Sequence, residues 1–172
     1  MALLPSLIMV VTVVIAAAFD IRARRIPNWL TASTAAAGIL SNCWLAGLQG
    51  LAHSTTGMLA GVALLISFYL LGGMGAGDVK LMGAVGAFLG PNGVFTAFLF
   101  TAVSGGLYAL AIIIMSGRSR ETLDRYVSLF KSIIITGRPF YVPPQGNPLP
   151  ALCYGAAIAA GSISSVFIQY IL

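Results

Sequence analysis

Charged residues are scarce in this chain. Lys, Arg, Asp and Glu make up 8% of its 172 residues, whereas a soluble domain carries about 25%. Acids are scarcer still, with only Asp20, Asp78, Glu121 and Asp124 in the sequence. There is one histidine, His53, and there are two cysteines, Cys43 and Cys153. Neither cysteine has a CxxC partner or a nearby histidine, so no zinc site is supported. Both read as small apolar residues in or beside hydrophobic stretches. His53 reads as a solvated residue in a polar loop. No Ser-His or Cys-His pair offers nucleophilic catalysis. The net charge of +5 lacks the basic face and readout residues that a nucleic-acid partner would need.

What the chain has in quantity is apolar surface. Hydrophobic residues make up 59%, and the mean hydropathy is +0.98. Too little polar surface remains to cover a soluble fold, so the composition predicts a membrane protein. Six apolar segments can be drawn, roughly Leu3–Phe19, Trp29–Leu48, Gly57–Leu71, Val79–Gly90, Gly93–Met115 and Leu149–Ile171. The expected fold is all-α, a single integral-membrane domain over residues 1–172 with about six transmembrane helices. The third segment is short unless it begins near Leu51. The fourth, at ~1.5 Å per residue, covers about 18 Å and must begin inside the preceding glycine-rich stretch or sit as a partial span beside a cavity. Pro91-Asn92-Gly93 reads as a turn joining the fourth and fifth segments in a hairpin.

The basic residues set an orientation. All nine lie in three places: Arg22, Arg24 and Arg25; Lys80; and Arg118, Arg120, Arg125, Lys131 and Arg138. With six spans and the N-terminus outside, all three places face the cytoplasm, and the opposite loops near Gln49–Thr56 and Pro91–Gly93 carry none. Arginines follow the first apolar run and none precedes it, the reverse of a signal peptide, so an uncleaved first span is expected. The last cytoplasmic connection, about residues 117–149, divides in two. Ser119 to Ile135 places Leu123, Tyr126, Val127, Phe130, Ile133 and Ile134 at helical spacing, which suits an amphipathic helix on an anionic inner leaflet. Gly137 to Pro150 is proline-rich, hence extended and turn-rich.

Two of the four acids stand apart. Glu121 and Asp124 belong to the solvated face of the amphipathic helix. Asp20 closes the first apolar segment and Asp78 opens the fourth, so the topology puts both at one membrane depth although they are 58 positions apart in sequence (20 and 78). Ionisable groups at that depth face a cavity or a partner. Gly72-Gly73-Met74-Gly75-Ala76-Gly77 precedes Asp78; glycines permit positive φ and close backbone approach, and irregular backbone near hydrocarbon faces protein or water. A plainer reading makes Asp78 the N-cap of the fourth helix and pairs Asp20 with Arg24 on the surface. The Gly-x-Gly pattern lacks the Gly-Lys-Ser/Thr ending of a phosphate loop. Pro27 suits the first turn of the second helix, and Trp29 an interfacial anchor. Two carboxylates a few ångströms apart would share a proton. One could then activate a water while the other donates to a scissile carbonyl. That route needs no metal, cofactor or nucleophilic side chain.

At these residues the chain resembles a known family. Gly75-Ala76-Gly77-Asp78 matches the GxGD motif of intramembrane aspartic proteases. Asp20-Ile21-Arg22 followed by Ile26-Pro27-Asn28 resembles the first-aspartate region of type IV prepilin peptidases, and Lys80 fits the same pattern. The resemblance implies an inner-membrane aspartic endopeptidase that removes the leader of prepilins or pseudopilins on the cytoplasmic side. It implies Asp20 and Asp78 as the catalytic pair, with Gly75 and Gly77 giving the peptide access to the backbone. Larger members carry an N-methyltransferase activity and a cysteine-rich insertion between the first two spans. Here only Ile21–Asn28 separates them, which is similar to the short, peptidase-only form serving Flp/Tad pili. Some short members begin the last span with Pro-Tyr-Gly; this chain reads Cys153-Tyr154-Gly155, a departure expected to leave the aspartates untouched.

Two readings from other classes compete. A small transporter or proton-coupled channel would want polar groups near the bilayer midplane and a repeat between halves; the acids cluster at one face, and no repeat is found. An idle assembly protein of a secretion machine would differ from a peptidase only in activity.

Overall fold

The computed structural model describes residues 3–115 and 152–171. The amphipathic stretch and the proline-rich run expected at 117–149 lie outside the described residues. Among the described residues every regular element is a helix: α1 (Leu3–Ala23), α2 (Asn28–Leu70), α3 (Ala76–Met115) and α4 (Tyr154–Ile171). Each is long and apolar enough to cross a membrane. The all-α membrane class is what the composition predicts. Met1–Gly105 and Cys153–Leu172 form one compact unit, and Gly106–Leu152, which contains the closing turns of α3, forms another.

Two of these helices are too long to be single straight rods. α2 has 43 residues and α3 has 40, about 60 Å or more of helix against a hydrocarbon core of about 30 Å. Each breaks at one glycine. Gly47 (φ 57°) interrupts α2, and Gly90 (φ 70°) interrupts α3 just before Pro91. Pro91 opens the next helical stretch, a position where its missing N–H costs nothing. The break at Gly47 replaces the polar loop expected around Gln49–Thr56. Those residues are helical, and His53 sits in a helix with its ring against Gly90. The first stretch of α3 begins at Ala76, three residues before the expected Val79 and inside the glycine-rich run.

That first stretch is the centre of the unit. Every residue from Leu81 to Gly90 is buried. The second half of α2 approaches it glycine to glycine: a Cβ at Gly57 would strike the carbonyl oxygen of Gly86, and one at Gly86 that of Gly57. Such small-residue contacts let backbones meet where lipid supplies no hydrophobic drive between helices. Many large side chains point the other way. Leu4, Leu7, Leu40, Trp44, Leu48 and Phe167 are exposed, while Thr34, Ser54, Ser162 and Ser165 are buried. α1 and α4 pack antiparallel, with the Tyr170 hydroxyl donating to Ser6 Oγ (3.3 Å) at one end.

The break at Gly90 strands backbone carbonyls, and Asn42 meets them. Pro91 has no N–H for the carbonyl of Ala87, four residues back. The two N–H bonds of Asn42 Nδ2 are shared among Ala87 O (3.0 Å), Phe88 O (3.2 Å) and Ser54 Oγ (3.0 Å). One side chain thus joins both halves of α2 to the central helix. Asn42→Leu keeps the volume and removes every donor. It should cost about 1–3 kcal/mol, read as a melting midpoint in detergent lowered by about 2–4 °C per kcal/mol. An unchanged midpoint would remove Asn42 from this role.

Candidate active site

Asp20 stands in the last turn of α1. The helix ends through Arg24, a non-glycine residue in the left-handed region (φ 50°), whose N–H returns to the Asp20 carbonyl (2.8 Å). This is the single-bond left-handed cap that glycine usually makes. The Asp20 side chain turns inward and is 9% exposed. Its Oδ2 accepts a hydrogen bond from the Gly155 N–H at 2.8 Å. The surface pair with Arg24 that the plainer reading offers does not form: Arg22, Arg24 and Arg25 are exposed, and among the described residues Asp20 has no ionic partner. Cys153-Tyr154-Gly155 therefore lies beside the first aspartate. The start of α4 meets Asp20 directly.

Asp78 stands in the first turn of α3, and three glycines before it have separate tasks. Gly72 (φ 73°) ends α2: its N–H returns to Tyr69 O (2.9 Å) and that of Gly73 to Phe68 O (2.9 Å). These two bonds make a Schellman motif. Gly75 is the N-cap of α3, its carbonyl accepting from the Asp78 N–H (3.1 Å). Asp78 is thus the third helical residue, not the N-cap. Its Oδ2 reaches back to accept the Gly75 N–H at 3.1 Å, the acidic half of a capping box. Neither Gly75 nor Gly77 has positive φ, so they are not needed for a left-handed backbone. Gly77 admits a neighbour instead: a Cβ there would come within 3.2 Å of Ile26 Cβ.

The two aspartate segments are tied together. Ile26 packs on Gly77, and Lys80 Nζ donates to Asn28 Oδ1 at 2.9 Å. The ring of Trp29 meets Phe19 edge to face, centroids 6.4 Å apart, linking the start of α2 to the end of α1. Asp78 is 7% exposed and lies close enough to Asp20 for their charges to interact. The last turn of α1 and the starts of α2, α3 and α4 therefore converge. Of the motif residues, Asp20, Asp78, Gly77 and Lys80 take part in this cluster. Gly75 bonds Asp78, and Arg22 is exposed. Asn28 and Gly155 were missed as site residues. The signal for Asn28 was its place in the Ile26-Pro27-Asn28 block; for Gly155 it was a glycine opening a span. Beside the Lys80–Asn28 bond lies an apolar groove of about 430 Å³ between Thr31, Ala35, Met58, Val62 and Gly83.

Fold and site define a class: a helical membrane protein that buries two neighbouring carboxylates, each accepting one backbone N–H at a helix start. Residues 7–110, which include both aspartates, match the type IV leader peptidase family, and the chain belongs to that family. It is 32% identical over 167 residues to a prepilin leader peptidase/N-methyltransferase of Bacillus subtilis (strain 168), covering 94% of this chain and 54% of the relative. It is 32% identical over 103 residues to one of Aeromonas salmonicida (strain A449), covering 56% of this chain and 35% of that protein. The chain thus spans about half or less of the length of the curated relatives it matches. No solved structure matches it significantly.

The glycines of the second aspartate's turn should differ in tolerance. Gly77→Val pushes two methyls toward Ile26 and should cost about 1–3 kcal/mol by overpacking. At Gly75 an added Cβ comes no closer than 3.4 Å to its neighbours, the nearest being Asp78 Oδ2, so Gly75→Ala should cost no more than about 1 kcal/mol. Thermal unfolding of both variants checks the order; equal losses would show that Ile26 does not set the limit at Gly77.

Proposed function

We propose that this chain is an intramembrane aspartic endopeptidase that removes the leader of type IV prepilins or pseudopilins at the cytoplasmic face of the bacterial inner membrane. The observation that carries the reading is the convergence of Asp20 and Asp78, far apart in sequence, into one buried cluster. Family membership and the names of the relatives support the same chemistry. The proposed topology has six spans, with α2 and α3 each reversing at its glycine break and the N-terminus outside. The positive-inside pattern supports that orientation and puts Arg22, Lys80 and the aspartates on the cytoplasmic side.

In the proposed reaction the two carboxylates share one proton and hold a water between them. The ionised aspartate takes a proton from the water as its oxygen bonds to the scissile carbonyl carbon. The protonated aspartate gives its proton to the carbonyl oxygen. The tetrahedral intermediate then collapses: the C–N bond breaks, the nitrogen leaves with a proton, and the pair returns to its starting state. The bonds from Gly155 and Gly75 each occupy an Oδ2 and fix the side chains. Lys80 spends its ammonium on Asn28 and so is read as a brace, with Gly75 and Gly77 shaping the approach of the peptide. The apolar groove beside Lys80 suits the hydrophobic helix of a pilin precursor entering from the bilayer. The connection between α1 and α2 is short, from Ala23 to Asn28, leaving no cysteine-rich insertion there. On this ground the chain is read as a peptidase-only form, similar to those of Flp/Tad pili.

The test is cleavage of the cognate pilin precursor in membranes or detergent. Asp20→Asn and Asp78→Asn keep size and hydrogen-bond acceptance but cannot move the proton. Each should lower kcat by about 10²–10⁴-fold while the protein still inserts and melts near the wild-type midpoint. A variant that cuts as well as wild type would strip that aspartate of its role. A wild-type protein that cuts no pilin-like precursor would sink the reading as a whole.

A further inference from the structure

Asp20 depends on a second chain segment for its position. Gly155 is the second residue of α4, and its N–H is one of the donors that a helix start leaves without an internal partner. That N–H points at Asp20 Oδ2 across 2.8 Å, in a buried bond between residues 135 positions apart. Among the described residues it is the side chain's sole hydrogen bond. The fit allows no side chain at position 155: a Cβ there would lie 2.9 Å from Asp20 Cβ, 3.0 Å from Oδ2 and 3.2 Å from Cγ. Two of these atoms belong to the carboxylate itself, so any L-residue at 155 must displace the acid or the helix that carries it.

We propose that Gly155 is a positioning residue for the reaction: its N–H and its lack of a side chain set the Asp20 carboxylate toward Asp78. The proposal rests on the reading of Asp20 as catalytic. A carboxylate on a helix end can swing about two side-chain torsions. The bond from α4 restricts both by holding one oxygen, Oδ2, while the other keeps its capacity to accept. The positive end of the α4 dipole meets the negative group there. The start of the last helix is thus part of the active site, and a glycine that merely packs helices would not need to touch a carboxylate.

Gly155→Ala tests this in the full-length protein. A shift of up to about 1 Å in a catalytic group costs as much as about 10²-fold. The variant should therefore lose about 10–10²-fold in kcat with KM within about twofold, since binding is not the target. The acidic limb of its pH–rate profile should also move by about half a unit or more, because that limb reports the essential acid–base pair as a unit. Unchanged kcat overturns the proposal. So does a loss of activity that matches a loss of folded protein and leaves the limb in place.

Should Gly155→Ala fail to fold, a second comparison decides. Asparagine at position 20 still offers the Gly155 N–H an acceptor, whereas leucine of the same size offers none. Asp20→Leu should then melt at least about 2 °C below Asp20→Asn; equal midpoints mean that the bond holds nothing. The melting comparison needs no substrate. It can therefore succeed or fail independently of whether the wild type cleaves a pilin precursor.

Discussion

Every helix begins with backbone N–H groups that have no partner within the helix, and a chain this apolar has few acceptors to offer them. Away from water each unmet donor is costly. Three helices begin at the cluster described above. α3 satisfies one of its first donors, that of Gly75, with the Asp78 carboxylate; α4 satisfies that of Gly155 with Asp20. The two acids of the helical core are therefore held where helix starts need acceptors. The negative charge and the positive end of each helix reinforce one another.

The same shortage of partners shapes the centre of the fold. Breaking α3 at Gly90 exposes carbonyls that an unbroken helix would have used. Asn42 supplies the missing donors from α2, and Ser165 Oγ donates to Gly93 O (3.0 Å) from α4. Polar side chains are buried to repair helix breaks, and glycines are buried to let helices touch. Many leucines and aromatics outside the central stretch face outward because lipid accepts them as readily as a protein core would. The bundle is held by contacts that composition alone would call weak.

Much of this was legible in the sequence. Scarce charge and long apolar runs fix the helical membrane class, and Asp20 and Asp78 stand out because nothing else acidic lies in an apolar segment. Element ends were less legible. The polar residues from Gln49 to Thr56 suggest a loop, yet the turn needs only Gly47 with its positive φ, and Ser54 is drawn into the Asn42 network. The glycine run before Asp78 signals irregular backbone, but not how the work is divided. Gly72 carries the positive φ, Gly75 caps, and Gly77 makes room for Ile26. That last task depends on a residue some fifty positions earlier, which no local pattern encodes. The role of Gly155 was hard to read for the same reason: its partner is on α1, and a glycine near the start of a span otherwise reads as a turn.

The plain and the functional readings of Asp78 first looked like rivals, a capping residue or an active acid. The geometry removes the choice. A carboxylate has two oxygens and can accept at each. Capping engages Oδ2 of Asp78 with the Gly75 N–H, and the α4 start engages Oδ2 of Asp20 with the Gly155 N–H. Anchoring by one oxygen costs the acid none of the capacity of the other. It also removes torsional freedom that an acid on a helix end would otherwise keep, and preset geometry of this kind is what lowers a reaction's entropic barrier. The structural duty and the proposed chemical one therefore favour the same residue at the same position. An apolar chain with few charges is under particular pressure to combine them, since each further buried acid would need its own donors.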